Sequence, residues 1–372
     1  MANDGVKELA QLCMNDANDK LDDAVDPTAI VGHSDFTNAL AGALASGRMH
    51  HAWMLTGPRG IGKASMARLA AAWLLSEQAA EAGLFGDAAP QFALSVDDPG
   101  ANLVFRGAHP DYLAIAPVLD DNKSGQIKID QIRDMVPFMA HKPARGGWRV
   151  AVIDSMDEMN RNGANAMLKL LEEPPEKAVI FLVSSRPGQL PPTIRSRCRV
   201  VRLSALDAVT CRDVLAKIWP DADAEHINLL AQLCGGSPGR AISLAESGAA
   251  DCYQVACSLL AATKLDVGAM AALAGKWGRG AAAGRATREG AVFCLDRLLR
   301  LAALTASGGS SLTTCNFETG AIDVLCKRHT AATLASFHDA FLKDSSRAEG
   351  LYLDFSQFLL RQMIKLYEKT LP

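Results

Sequence analysis

Gly57-Pro58-Arg59-Gly60-Ile61-Gly62-Lys63-Ala64 follows the apolar run Ala52-Trp53-Met54-Leu55-Thr56 and precedes an alanine- and leucine-rich stretch reaching Leu75. Strand, glycine-rich turn and helix, with Gly-Lys at the helix start, match the phosphate-binding pattern G-x-x-x-x-G-K-[ST]. In that pattern glycines let backbone N–H groups converge on phosphate, the lysine neutralises charge, and the closing hydroxyl ligates magnesium. Gly57, Gly60, Gly62 and Lys63 fill their places, but Ala64 stands where the hydroxyl residue belongs. Ser65 comes one position late, about 100° further round a helix, and does not replace it. Glycine also serves tight turns that bind nothing; the correctly spaced Gly-Lys after an apolar strand favours phosphate. Nucleotide binding is therefore expected, with weak or absent turnover.

Strand-like apolar runs recur at Tyr112-Leu113-Ala114-Ile115, from Trp148 to Ile153, from Ala178 to Val183 and from Arg199 to Leu203, with helical stretches between them. Such alternation predicts a parallel sheet covered by helices. Val150-Ala151-Val152-Ile153 ends in Asp154, where P-loop ATPases keep the carboxylate that positions magnesium. A strand-terminal Asp is also a common helix cap; together with the loop it joins the candidate nucleotide site. The segment from Glu77 to Gly107, with the turn-forming Asp97-Asp98-Pro99-Gly100, reads as a loop or irregular insertion.

From Asp207 onward the pattern is helical. One group closes on Gly235-Gly236-Ser237-Pro238-Gly239-Arg240, and a further helix spans Ala249 to Leu265. After Val267 helices continue, with an apolar face of Val292, Phe293, Leu295, Leu298, Leu299, Leu301 and Leu304 and a break from Gly308 to Ser311. The expected organisation is a flexible extension over 1–27 with one short helix from Val6 to Met14. It continues with an α/β P-loop domain over 28–204, a small all-α lid over 205–266 and a helical oligomerisation domain over 267–372.

At ~100–200 residues per domain, 372 residues suit two or three domains. A net charge of −3 gives no global basic excess that would demand nucleic acid. Nine cysteines form no C-x-x-C pair, so reduced thiols in the cytoplasm are expected, without a zinc site. The apolar stretches are interrupted by charge, and no membrane span is expected.

Two long stretches carry a more specific signal: Asn165-Ala166-Met167-Leu168-Lys169-Leu170-Leu171-Glu172-Glu173-Pro174-Pro175 and Leu190-Pro191-Pro192-Thr193-Ile194-Arg195-Ser196-Arg197-Cys198. With His50-His51-Ala52-Trp53 and His109-Pro110-Asp111-Tyr112, they resemble the AAA+ subunits of bacterial clamp loaders over most of residues 28–204. The resemblance implies an AAA+ domain, a helical lid and a C-terminal helical collar. It implies ATP and magnesium as ligands, gamma/tau and delta subunits as neighbours, and a sliding clamp and primer–template DNA reached through the complex during DNA replication. It makes Arg197 an arginine finger acting on a neighbour's nucleotide, with Arg195 and Arg199 as substitutes or structural pairs. Such fingers are worth ~10³–10⁵ in rate. It also makes Ser184 and Ser185 sensor-1 hydroxyls and Arg240 the sensor-2 arginine.

Departures from the family pattern matter as much. Asp154 is followed by Ser155-Met156 rather than Asp-Glu, and Glu158 lies about a turn further on, so the general base is displaced or absent. Residues 76–108 lack the four zinc-binding cysteines of many relatives. Gly125 to Arg133 resembles a strand-to-helix segment with Asp130 as N-cap. Lys142, Arg145 and Arg149 form a basic cluster, expected as a solvated face rather than a DNA contact. These features favour a stator that lends Arg197 to a neighbour and has little or no ATPase of its own. The alternatives are an active gamma/tau-like or other P-loop ATPase, and a small-molecule P-loop kinase, which leaves the Leu-Glu-Glu-Pro-Pro and Ser-Arg-Cys stretches unexplained.

Overall fold

A computed structural model describes residues 32–77, 92–95, 97–120, 123–144, 147–278, 283–309, 315–351 and 353–368. The extension over 1–27 and Arg145 lie outside the described residues, as does part of the segment over 76–108. The chain divides into two compact units, the described parts of Met1–Val214 with Gly236–Gly239, and those of Leu215–Gly235 with Arg240–Pro372.

The first unit is built on a five-stranded sheet, β1 Ala52–Thr56, β2 Tyr112–Ile115, β5 Arg149–Ile153, β6 Ala178–Ser184 and β7 Arg199–Arg202, ordered β2-β5-β6-β1-β7. Each neighbouring pair is parallel. β1, β5 and β6 are buried along their whole length, as continuous apolar runs in a sheet covered on both faces should be. Successive side chains point to opposite faces. Two-sided packing follows directly: Trp53, Leu55, Val150, Val152 and Phe181 meet Phe36, Leu40 and Trp73 of helices Ser34–Ala45 and Lys63–Leu74. Met54, Ala151, Ile153, Ile180 and Leu182 meet Ile132, Met135, Met167 and Leu171 of helices Ile129–Ala140 and Arg161–Glu172. This is an α/β fold, a parallel sheet covered on both faces with a glycine-rich loop after β1. Its carboxyl-end crevice, where the chain leaves β1, is where such sheets bind ligands.

Three local expectations need correction. The stretch expected to be irregular contains a helix, Pro99–Phe105, started by Pro99 and capped by Asp98, whose Oδ1 accepts from Ala101 N at 2.9 Å. Asp130 is not an N-cap. Lys128 holds that position, its backbone N–H donating to Gln131 Oε1 at 2.9 Å, while Asp130 lies in the first turn of the helix and pairs with Arg133 at 3.2 Å. The hairpin of β3 Val118–Asp120 and β4 Lys123–Gln126 precedes that helix.

Arg149 does not belong to a solvated basic face. It is 8% exposed and its Nη2 lies 2.8 Å from Asp111 Oδ1. It also donates to Phe138 O at 2.8 Å and Lys142 O at 3.0 Å, and stacks 4.6 Å from the Phe138 ring centroid. Lys142 itself is exposed.

The second unit is helical, with Ala224–Leu233, Ala249–Ala261, Val267–Gly278, Ala283–Ala306, Asn316–Arg328, Ala331–Gly350 and Phe355–Tyr367. Within the expected apolar stripe, Leu295, Leu298, Leu299 and Leu301 are buried and Leu304 is 38% exposed. Arg297 and Glu318 form a buried pair, Nε to Oε1 at 2.7 Å and Nη2 to Oε2 at 3.1 Å. Tyr253 OH and Cys315 N donate to the same carboxylate at 2.7 and 2.6 Å, so its lone pairs are well used, as a charge buried this deeply requires. No helix among the described residues is long and apolar enough to cross a membrane.

Candidate functional site

The phosphate loop leaves the carboxyl end of β1 under tight steric control. Leu203 N donates to Thr56 O at 2.8 Å, bringing the chain beyond β7 against the root of the loop. Gly57 there has φ 148°, and a Cβ would stand 2.4 Å from Leu203 O. Only glycine fits. Gly60 and Gly62 also have positive φ, 79° and 89°. Two external contacts fasten the loop carbonyls: His33 Nε2 lies 3.1 Å from Ile61 O, and Gly239 N donates to Gly60 O at 2.9 Å. Gly62 caps helix Lys63–Leu74 without a side-chain acceptor, and no acid occupies the first turn. The positive end of that helix suits an external anion.

Lys63 is 5% exposed, and its ammonium donates to Gly57 O at 3.0 Å, Pro58 O at 2.6 Å and Ser185 Oγ at 2.9 Å. Ser65 is exposed. Asp154 follows β5, its N–H donating to Ile115 O at 2.8 Å and its Oδ1 accepting from Ser155 N at 2.7 Å. Burial pushes its carboxyl above the ordinary range, while the Ser155 hydrogen bonds and the charge of Lys63 pull the other way. Ser155 has φ 50°, a strained value for a residue with a side chain.

The next two acids tie neighbouring segments together. Asp157 accepts from Ser184 Oγ, from Ser185 N at 2.7 Å and from Arg186 N at 3.0 Å. Glu158 Oε1 accepts from Arg59 Nη2 at 2.9 Å and Arg186 Nη2 at 3.2 Å. A general base needs a lone pair turned toward water. Glu158 instead spends one oxygen on two guanidinium groups.

The structure thus brings Gly57, Gly60, Gly62, Lys63 and Ser185 together, with Asp154 close enough to feel the Lys63 charge. Ser184 is fully buried and engaged with Asp157. Arg240 sits in the second unit, 4.3 Å over the Phe293 ring. Arg197 lies between the short helix Pro192–Arg195 and the edge strand β7. Its Nη2 is 2.8 Å from Glu172 Oε1 and its Nη1 donates to Thr193 O at 2.9 Å. Arg199 stacks 4.4 Å over Trp53. The neighbouring Cys198 thiol donates to Ile194 O at 3.1 Å, and burial pushes it up to about 12.

Residues 32–207 match the family described as "DNA polymerase III, delta subunit". This stretch is similar to clamp-loader subunits of DNA polymerase III. DNA polymerase III subunit delta' of Pseudomonas aeruginosa is 38% identical over 188 residues, covering 50% of this chain and 53% of that protein. DNA polymerase III subunit tau of Escherichia coli is 34% identical over 225 residues, covering 59% of this chain and 32% of that protein. The chain therefore spans about half or less of the length of these relatives. Among solved structures, a DNA polymerase III gamma subunit-related protein from Thermotoga maritima is similar at 18% identity and a TM-score of 0.37, covering 89% of this chain and 99% of that one.

Within residues 32–207, Arg59, Arg186, Glu172 and His33 all hold parts of the site that sequence reading did not single out. Arg59 fills a variable position of the loop pattern. Arg186 directly follows the two serines, and Glu172 lies inside the Leu-Glu-Glu-Pro-Pro stretch. No periodicity marks these four; only the fold brings Arg59 to Glu158 or Arg197 to Glu172.

Proposed function

We propose that the chain is a delta-prime-like subunit of a DNA polymerase III clamp loader, a stator that presents Arg197 to a nucleotide held by a neighbouring subunit. The neighbours would be gamma/tau and delta subunits, and the assembly would load a sliding clamp onto primer–template DNA in the cytoplasm. The AAA+ domain over 28–204, the lid over 205–266 and the collar over 267–372 are the parts this role assigns to the chain.

The observation that carries the reading is the placement of Arg197. It stands beside an edge strand, 36% exposed, held by a Glu172 carboxylate that is itself 48% exposed. Ion pairs so open to water are worth about 0–1 kcal/mol, so swinging the guanidinium onto a partner's phosphate costs little. Its planar fork and permanent charge suit phosphoryl oxygens. The chain's own pocket supports the complementary half of the reading. Its loop, the open helix start and Lys63 fit the phosphates of ATP, with Asp154 at the end of the neighbouring strand. Bound ATP would supply the triphosphate whose cleavage drives such machines. Ala64 offers no metal ligand, and Oε1 of Glu158 faces Arg59 and Arg186 rather than an attacking water, which supports weak or absent turnover.

The test is to purify the chain alone and with candidate gamma/tau and delta subunits, and to measure ATPase activity and assembly. Co-elution in one complex and negligible turnover by the chain alone are expected. Robust hydrolysis by the isolated chain, or failure to assemble, contradicts the proposal.

A further inference from the structure

We infer that Arg59 and Arg186 are phosphate-binding residues of this loop, with Glu158 as their resident counter-anion, so that the pocket takes a nucleoside polyphosphate without a metal ion. Three cations from three segments surround the loop. Lys63 opens the helix after it, Arg59 stands within it, and Arg186 follows β6. Continuous contacts link them: Lys63 Nζ to Ser185 Oγ at 2.9 Å, the backbone N–H groups of Ser185 and Arg186 to Asp157 at 2.7 and 3.0 Å, and both guanidinium groups to one oxygen of Glu158 at 2.9 and 3.2 Å.

Arg59 and Arg186 share a single carboxylate oxygen beside the phosphate loop, so each five-donor guanidinium can still turn N–H groups toward an incoming anion. A P-loop that binds through magnesium needs its hydroxyl ligand and an available carboxylate. Here the hydroxyl position is Ala64, and one oxygen of Asp154 is spent on Ser155 N at 2.7 Å, which leaves a metal a thinner ligand set than the loop pattern supplies. The guanidinium groups can neutralise phosphate oxygens that a metal would otherwise serve, and they bind them bidentately. Arg59 and Arg186 side chains are 50% and 48% exposed. Pairs so exposed are weak, so a triphosphate entering the loop displaces Glu158 at small cost. Glu158 thereby sets the threshold for entry.

Titration of the full chain with ATP, once in EDTA and once in magnesium, tests this by calorimetry. Expected are binding in EDTA at least as tight as in magnesium and a loss of about tenfold or more in the Arg59→Ala/Arg186→Ala double variant, the scale of a lost charge-assisted contact. Glu158→Gln should bind ATP more tightly than the unaltered chain. The two arginines are exposed and Glu158 is half-buried, and unfolding curves confirm that the variants fold; Arg59→Gln alone serves if the double variant does not. Binding that requires magnesium, unchanged affinity in the arginine variants, or no binding by either the unaltered chain or Glu158→Gln overturns the inference. None of these outcomes bears on Arg197, whose role is read in the assembled complex.

Discussion

At the scale of single residues, Asp111 and Arg149 carry much of the electrostatic risk among the described residues, as a buried pair. Asp111 is 1% exposed and receives Arg149 Nη2 at 2.8 Å and Ala144 N at 2.9 Å. Arg149 in turn holds Phe138 O and Lys142 O, fastening the chain between helix Ile129–Ala140 and β5. Removing one member of a buried pair strands the other charge in a poorly solvated place. Arg149→Ala should therefore cost about 3–5 kcal/mol, read as a shift of the denaturant midpoint. A change within the range of an ordinary surface substitution would show that Asp111 finds water instead. The exposed pair of Arg197 and Glu172 has the opposite character, being weak enough to break on demand.

At the scale of elements, the phosphate loop depends on what packs behind it. Gly57→Ala must relieve both a φ of 148° and a Cβ placed 2.4 Å from Leu203 O, so the end of β7 or the loop has to move. The expected loss is about 1–3 kcal/mol of stability in thermal or denaturant unfolding. An unchanged midpoint would show that this close approach is dispensable. The strands around the loop were legible to within a residue or two, because full burial on both faces demands unbroken apolar runs such as Ala178 to Val183. Helix Pro99–Phe105 was not legible, because it is short and begins in a turn-like Asp98-Pro99 that serves equally well as a cap. The loop glycines and Lys63 announced themselves by spacing. The Arg59–Glu158 and Arg197–Glu172 pairs did not, since contacts across such sequence separations leave no local pattern.

At the scale of the whole molecule, a phosphate loop lacking its metal hydroxyl and a rim arginine held only lightly make sense together in a subunit that acts on a neighbour. Residues 32–207 match the family described as "DNA polymerase III, delta subunit", and the chain also has a second, helical unit. The central claim is that Arg197 works in trans. The direct measurement is the DNA-stimulated ATPase rate of the complex reconstituted with either the unaltered chain or Arg197→Ala. The account predicts that the variant assembles normally while hydrolysis at the nucleotide site served by Arg197 falls by ~10³-fold or more. An assembled complex whose rate is unchanged by Arg197→Ala would contradict it.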